Sequence, residues 1–290
     1  MLKISNITKK YNDNLVLDNI SLNLPRGCFI TLLGKNGSGK STLMKLITGE
    51  ELTDSGLITF NKENIQKLNF TSTKTIGFVN ESLEYLVPYN FRKFVDVLKA
   101  GYPKWDEDYF EYLVSARGID LEQNFMSYSR GQKMQLALII NLAANFEYLL
   151  LDEITSVMDV YGRKFFLDEL KKHTIKGGTV VMSSNIISEL EYYTDQVIIL
   201  KDRGIKLNSN SRDISIDFVK VRKLRGDTNP IFNDPKVVWA GLNSDFSVSY
   251  IIPKNLFDSS NLPATLLDKR KITLEDVFIY YFTDNMDEVI

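Results

Sequence analysis

One cysteine, Cys28, and one histidine, His173, occur in 290 residues. A single thiol excludes an internal disulfide, so the core alone must hold the fold, and a reducing compartment is the simplest setting. An excess of one charge is missing too: 35 basic against 37 acidic residues leave a net charge of -2. No global basic field exists to gather nucleic acid or an anionic membrane surface. Long apolar runs are absent. The most apolar stretch, Leu136 to Phe146, is too short for a bilayer and is interrupted by Asn141 and Asn145. The opening residues, MLKISNITKK, alternate like a strand and lack the apolar core of a signal peptide. These absences predict a soluble chain, with any membrane crossing left to another chain. No repeat or low-complexity tract is present.

What is present is ordinary for a globular protein, 44% hydrophobic and 25% charged, and the length predicts one large domain plus a smaller one. Leu2 to Ile7 and Ile20 to Leu24 alternate as half-buried strands do. Phe29 to Leu33, Tyr148 to Leu151, Thr179 to Met182 and Gln196 to Leu200 are short apolar runs suited to strands buried on both faces. Helical segments separate them, among them Phe91 to Gln123, which Pro103 breaks. This alternation predicts a parallel sheet wrapped by helices. Asn208 to Arg212 (NSNSR) reads as a linker. The organisation expected is therefore residues 1–210 as a nucleotide-binding domain and residues 211–290 as a small α+β accessory domain. The latter has short strands near Val237 to Leu242 and Phe246 to Ile252 and a closing helix, Leu274 to Phe282.

Gly34-Lys35-Asn36-Gly37-Ser38-Gly39-Lys40-Ser41 fits the phosphate-binding loop pattern and stands between an apolar strand and an amphipathic helix. Glycines at 34, 37 and 39, with Asn36 and Ser38, let backbone N–H groups face phosphates, and the helix N-terminus adds a favourable dipole. Lys40 can reach the β- and γ-phosphates, the Ser41 hydroxyl can bind Mg²⁺, and Thr42 can contact the α-phosphate. About 110 residues on, Tyr148-Leu149-Leu150-Leu151-Asp152-Glu153 ends an apolar strand in two carboxylates. Asp152 is placed to hold Mg²⁺ and Glu153 to polarise an attacking water as general base. A strand ending in acids is commonplace alone; paired with the loop it becomes informative.

Between the two lies Tyr128-Ser129-Arg130-Gly131-Gln132, followed by the helical KMQLALII. A serine N-cap would account for Ser129 by itself. The segment also resembles the Leu-Ser-Gly-Gly-Gln signature of ABC ATPases, with Tyr128 and Arg130 as departures. The resemblance covers about residues 1–205. It implies a P-loop NTPase cassette of ABC type: a mixed sheet core, an antiparallel β subdomain, a helical subdomain and, here, a small C-terminal domain. It implies ATP and Mg²⁺ as ligands, with Ser129, Gly131 and Gln132 gripping ATP bound to a second cassette. Tyr11 lies where the family stacks an aromatic on adenine, although a tyrosine at a strand end also packs there. Glu81, in IGFVNE (Ile76 to Glu81), takes the place of a glutamine that senses the metal and the membrane partner. Asp159 matches the residue coupling two sites across a dimer, while Val157 replaces the usual glycine.

One position departs from the family more seriously. Ser183-Ser184-Asn185 stands where Ser-Thr-His is expected, so Asn185 replaces the histidine that holds the γ-phosphate. The only histidine, His173, falls in the polar stretch ELKKHTIKGG and is expected to be a solvated helix residue. The resemblance implies an ATPase, with own-site turnover lowered by Asn185. Its partners would be a transmembrane permease subunit and a second cassette, the same chain or a relative, with no nucleic acid. It would sit in the cytoplasm on the inner face of the membrane through its partner. The segments YPKWDEDYF (Tyr102 to Phe110) and ITLEDVFIYY (Ile272 to Tyr281) resemble an exporter-type subfamily working with short membrane subunits, including exporters of amphipathic peptides. The face around Tyr85, Tyr89 and Phe91 would form the docking groove, unless it is core. A non-hydrolytic ATP-gated clamp and a soluble ABC ATPase acting on nucleic acid or the ribosome are the alternatives.

Overall fold

The structure is a computed structural model that describes residues 1–65, 75–80, 91–184, 186–224, 229–243, 245, 247–260, 262–268 and 271–283. The chain opens with two antiparallel strands, β1 (Leu2–Tyr11) and β2 (Asn14–Leu24), whose alternating burial follows their alternating sequence. Next come β3 (Phe29–Leu33) and α1 (Lys40–Thr48). β4 (Ser55–Phe60) and β5 (Glu63–Asn64) complete a four-stranded antiparallel sheet in the order β2-β1-β4-β5.

A second sheet collects the apolar runs. It contains β3 with β6 (Ile76–Val79), β7 (Tyr148–Asp152), β8 (Thr179–Ser183), β9 (Gln196–Lys201) and β10 (Gly204–Asn210). The order is β10-β9-β3-β8-β7-β6, parallel throughout except for β10 against β9. Strands β3, β7 and β8 are buried at every position, as the continuous apolar runs require. Helices α2 (Phe91–Lys99), α3 (Glu107–Arg117), α4 (Arg130–Ala143), α5 (Val160–Ile175) and α6 (Ile187–Leu190) account for most of the intervening chain. Tyr148, fully buried, joins the two sheets: its hydroxyl donates to the Leu24 carbonyl at 2.9 Å and accepts from the Leu2 N–H at 3.1 Å. This is the α/β arrangement expected from the sequence.

The C-terminal part adds α7 (Ile214–Asp217), β11 (Phe218–Lys223), β12 (Val238–Leu242), β13 (Val248–Pro253), α8 (Lys254–Ser259) and α9 (Leu274–Phe282). The three strands form an antiparallel sheet in the order β11-β13-β12. One apolar cluster unites Ile214, Phe218, Ile251, Val277 and Phe282 with Leu33, Val197 and Ile199 of the main sheet. The tail therefore packs against β3, which leads into the phosphate loop, and against its neighbour β9.

Two local expectations are corrected, and one open alternative is decided for Phe91. The NSNSR linker begins as strand, since Asn208 to Asn210 pair with β9. Phe91 is core: it is 1% exposed and packs on Phe94, Phe125 and Tyr128, while Tyr85 and Tyr89 lie outside the described residues. His173 is 6% exposed, because Phe166, Leu170 and His173 fall on one face of α5 that turns inward.

Candidate functional site

β3 delivers the chain to the phosphate loop from inside the sheet, and α1 starts at Lys40. The turn depends on Gly37 (φ 78°) and Gly39 (φ 100°), both in the left-handed region that side chains disfavour. Lys40 is 5% exposed, and its ammonium donates to the carbonyls of Gly34 at 2.8 Å and Lys35 at 3.3 Å. Burial pulls its pKa down, opposed by Glu153 and then Asp152. Glu153 Oε1 lies 4.0 Å from the Lys40 Nζ. A cation and two carboxylates from distant segments thus meet at one loop. Ser38 Oγ in the same loop is buried and has no hydrogen-bond partner. A buried hydroxyl without a partner beside a desolvated ammonium suits an anion with several acceptor oxygens, such as a polyphosphate.

The acidic pair is fixed from the neighbouring strand. β7 and β8 run parallel with Asp152 beside Ser183, and the Ser183 hydroxyl donates to Asp152 Oδ1 at 2.5 Å. The same hydroxyl oxygen accepts from the Glu153 N–H at 3.1 Å. Glu153 takes φ 52°, a left-handed conformation uncommon for a residue with a side chain, and the Ser156 hydroxyl donates to its carbonyl at 3.0 Å. Next door, Thr155 and Ser184 share a buried hydroxyl contact of 2.9 Å. Ser183 is the residue that sequence reasoning missed. Its signal was a hydroxyl directly after the apolar run Val180 to Met182, level with the acid at the end of another strand.

Ser129 caps α4. Its hydroxyl accepts from the Gln132 N–H at 3.2 Å and the Gln132 side chain accepts from the Ser129 N–H at 2.9 Å, a capping box. The serine cap is thus a fact of the structure, and a hydroxyl that accepts one bond can still donate its own proton outward. Ser129 and Gln132 are exposed. Tyr128, in place of the family's leucine, turns inward: it is 4% exposed and its hydroxyl donates to the Asp120 carbonyl at 2.6 Å. Burial pushes that phenol up to about 12. Gly131 abuts the Val157 main chain, joining this segment to the one that follows Glu153. Asp159 caps α5, accepting from the Gly162 N–H at 2.5 Å.

The remaining sequence candidates fall out as follows. Ser41 is exposed and Thr42 half-buried in the first turn of α1. Tyr11 is 41% exposed at the end of β1, its hydroxyl bonded to Glu51 and its ring 5.2 Å from the Lys9 ammonium. Burial and then the Glu51 bond raise its pKa, while a bond to Thr42 lowers it, so the ring lies next to the loop helix. Glu81 and Asn185 lie outside the described residues. No helix among the described residues is long and apolar enough to cross a membrane.

With this geometry in place, three kinds of similarity are informative. The family profile described as ABC transporter matches residues 17–156, from β2 through the acidic pair. The lantibiotic transport ATP-binding protein SrtF of Streptococcus pyogenes is 30% identical over 67% of this chain and 84% of its own. The ABC transporter ATP-binding protein YtrB of Bacillus subtilis (strain 168) is 25% identical over 97% of this chain and 98% of its own, so its match includes the C-terminal part. Among solved structures, one described as the ATP binding subunit of an ABC transporter superposes with a TM-score of 0.69 at 21% identity, covering 74% of this chain and 92% of that one. The cbiO1 protein of Clostridium perfringens, part of the complex cbiONQ, superposes with a TM-score of 0.59 at 25% identity, over 73% of this chain and 89% of its own.

Proposed function

The chain belongs to the family of ABC transporter ATP-binding subunits, and from that premise we propose that it binds ATP at Gly34 to Thr42 and hydrolyses it to drive a separate membrane subunit. The observation that carries this reading is the meeting of the Lys40 ammonium with the Glu153 carboxylate, 4.0 Å apart, at the mouth of a glycine-rich loop. Lys40 and the loop amides hold the phosphates, and the Tyr11 ring stacks on the adenine. Ser41 and Asp152 would hold Mg²⁺, which when bound neutralises charge on the phosphates; Glu81 is the candidate third contact. Glu153 accepts the proton of the attacking water, with its backbone fixed by Ser183.

The site is completed by a second cassette, of this chain or a relative, through Ser129, Gly131 and Gln132, with Asp159 coupling the two sites. Ser129 is exposed at a helix N-terminus, which supports this reading because such an end attracts anions. Residues 1–210 form the nucleotide-binding domain and residues 211–290 the accessory domain. The chain is held at the cytoplasmic face of the membrane by its permease. Export of amphipathic peptides, as by an ATPase subunit of the staphylococcal phenol-soluble modulin exporter, is the transport we favour; the likeness to the lantibiotic transport ATP-binding protein SrtF supports it.

Asn185, replacing histidine, lowers turnover at this chain's own site. An asparagine amide donates one hydrogen bond but cannot become cationic. Weakening one hydrogen bond to a charged group costs about 1.5–3 kcal/mol, roughly ten- to a hundredfold in rate. Phosphate release by purified protein, alone and with its membrane subunit, tests the whole reading. Lys40→Ala should lower nucleotide affinity and turnover together, while Asn185→His should raise turnover with affinity within a few-fold. Brisk turnover of the parent, unchanged in Asn185→His, would remove the degenerate-site reading.

A further inference from the structure

The C-terminal helix ends at the phosphate loop. Lys201, the last residue of β9, donates its Nζ to the Tyr281 carbonyl in the final turn of α9 at 2.7 Å. The neighbouring ring, Phe282, is 6% exposed and carries two ammonium groups: Lys201 Nζ 5.7 Å and Lys35 Nζ 5.9 Å from its centroid. Lys35 is the second residue of the phosphate loop, and Leu33, just before the loop, shares an apolar cluster with Val277 and Phe282. Both routes lead on to Lys40. The Lys35 carbonyl accepts from the Lys40 ammonium at 3.3 Å. The Leu200 carbonyl lies 2.7 Å from where a Cβ on Gly34 would stand, and the Gly34 carbonyl accepts from Lys40 at 2.8 Å.

We propose that Phe282 is a positioning residue for the phosphate loop. Its ring face holds Lys35 and Lys201 in place, so that the C-terminal part of the chain sets the affinity of the nucleotide site. The physics is the attraction of cations to a buried aromatic ring, felt by the half-buried Lys201 and the exposed Lys35, together with the preference of a helix C-terminus for a cation. With the ring gone, Lys35 is free to swing, and the carbonyls that orient Lys40 lose their support. The inference rests on the proposed reading of the loop as an ATP site.

Packing and ring-face effects separate by substitution. Phe282→Leu keeps an apolar filler and removes the ring face; Phe282→Tyr keeps the face. In the full chain, with ATP as probe and a Lys40→Ala control, Phe282→Leu should weaken binding and raise KM about three- to tenfold. Its kcat should stay within about twofold, because the loop holds ground and transition state alike. Phe282→Tyr should bind within about twofold of the parent. Lys201→Met, at a half-buried position outside the loop, should show the same loss and does not depend on Phe282→Leu folding. Parent-like affinity in Phe282→Leu with only a lowered Tm, or an unchanged Lys201→Met, overturns the proposal and leaves the ATP site standing. A parent that binds no ATP, like Lys40→Ala, overturns both.

Discussion

Gly131 is packed against the main-chain carbonyl of Val157 so closely that a Cβ on the glycine would stand 2.8 Å from the oxygen. The start of α4 and the segment after Glu153 thus share a contact with no room for a side chain. Gly131→Ala ought to gain helix propensity, about 1 kcal/mol, but the carbonyl must give way and the gain is lost. Because the displaced segment runs between Glu153 and Asp159, turnover should fall at least about tenfold, while single-chain nucleotide affinity stays within a few-fold. Phosphate release and equilibrium binding, measured side by side, decide it. Unchanged turnover would show that the contact is packing alone.

Ser183 serves both acids at once, donating to Asp152 and accepting from the Glu153 N–H. It is wholly buried, so Ser183→Ala leaves an Asp152 carboxylate oxygen short of its donor, while the Glu153 N–H keeps the Ser183 carbonyl at 3.2 Å. The expected cost is about 1.5–3 kcal/mol of stability, read by urea unfolding. The Mg²⁺ concentration giving half-maximal turnover should also rise, because the Asp152 carboxylate loses its orientation. Ser183→Thr keeps the hydroxyl and should recover the Mg²⁺ dependence better than the stability, since an added methyl overpacks a filled site.

Glu153→Gln preserves shape and removes the proposed base. ATP should then persist, and a dimer should appear by size exclusion or light scattering that the parent forms only transiently. The φ of 52° at this position is no harder for Gln than for Glu, so the fold should be untouched. A monomer under saturating ATP would argue against self-pairing and in favour of an obligatory relative.

The parts of this molecule legible in its sequence are those fixed by local chemistry. The phosphate loop is legible because glycine spacing, a following lysine and an amphipathic helix occupy adjacent residues. Strands β3, β7 and β8 are legible because full burial needs a mostly apolar run. What could not be read depends on distant partners. Ser183 matters only because β8 lies beside β7 with Asp152 at the same level. Phe282 ends a helix that was expected from its pattern, yet its place over Lys35 follows from the tail folding back on the main sheet. His173 was obscured by its neighbours ELKK and TIKGG: the chain there looks polar, while the stripe from Phe166 through Leu170 points inward.

That buried histidine gives the fold a pH dependence of definite sign. His173 Nε2 has no hydrogen-bond partner, and a side chain at Gly178 would collide with the ring, so the imidazole is closely walled in. Burial lowers its pKa to about 4; a bond to the Phe146 backbone opposes the shift and the Lys176 charge adds to it. The folded state therefore keeps the ring neutral where the unfolded chain, titrating near 6.5, already binds a proton. The contribution is complete above about pH 6.5, falls as pH drops toward 4, and is lost below it; the whole interval is worth at most about 3 kcal/mol. Carboxylates titrate over part of the same range, so the parent's slope alone is ambiguous. His173→Gln keeps a donor for Phe146 and cannot titrate, and carboxylates act equally in both proteins. Urea unfolding of the two from pH 7.5 to 4.5 should show the parent losing about 2–3 kcal/mol more than the variant. Coincident slopes would mean that the ring takes up its proton in the folded state.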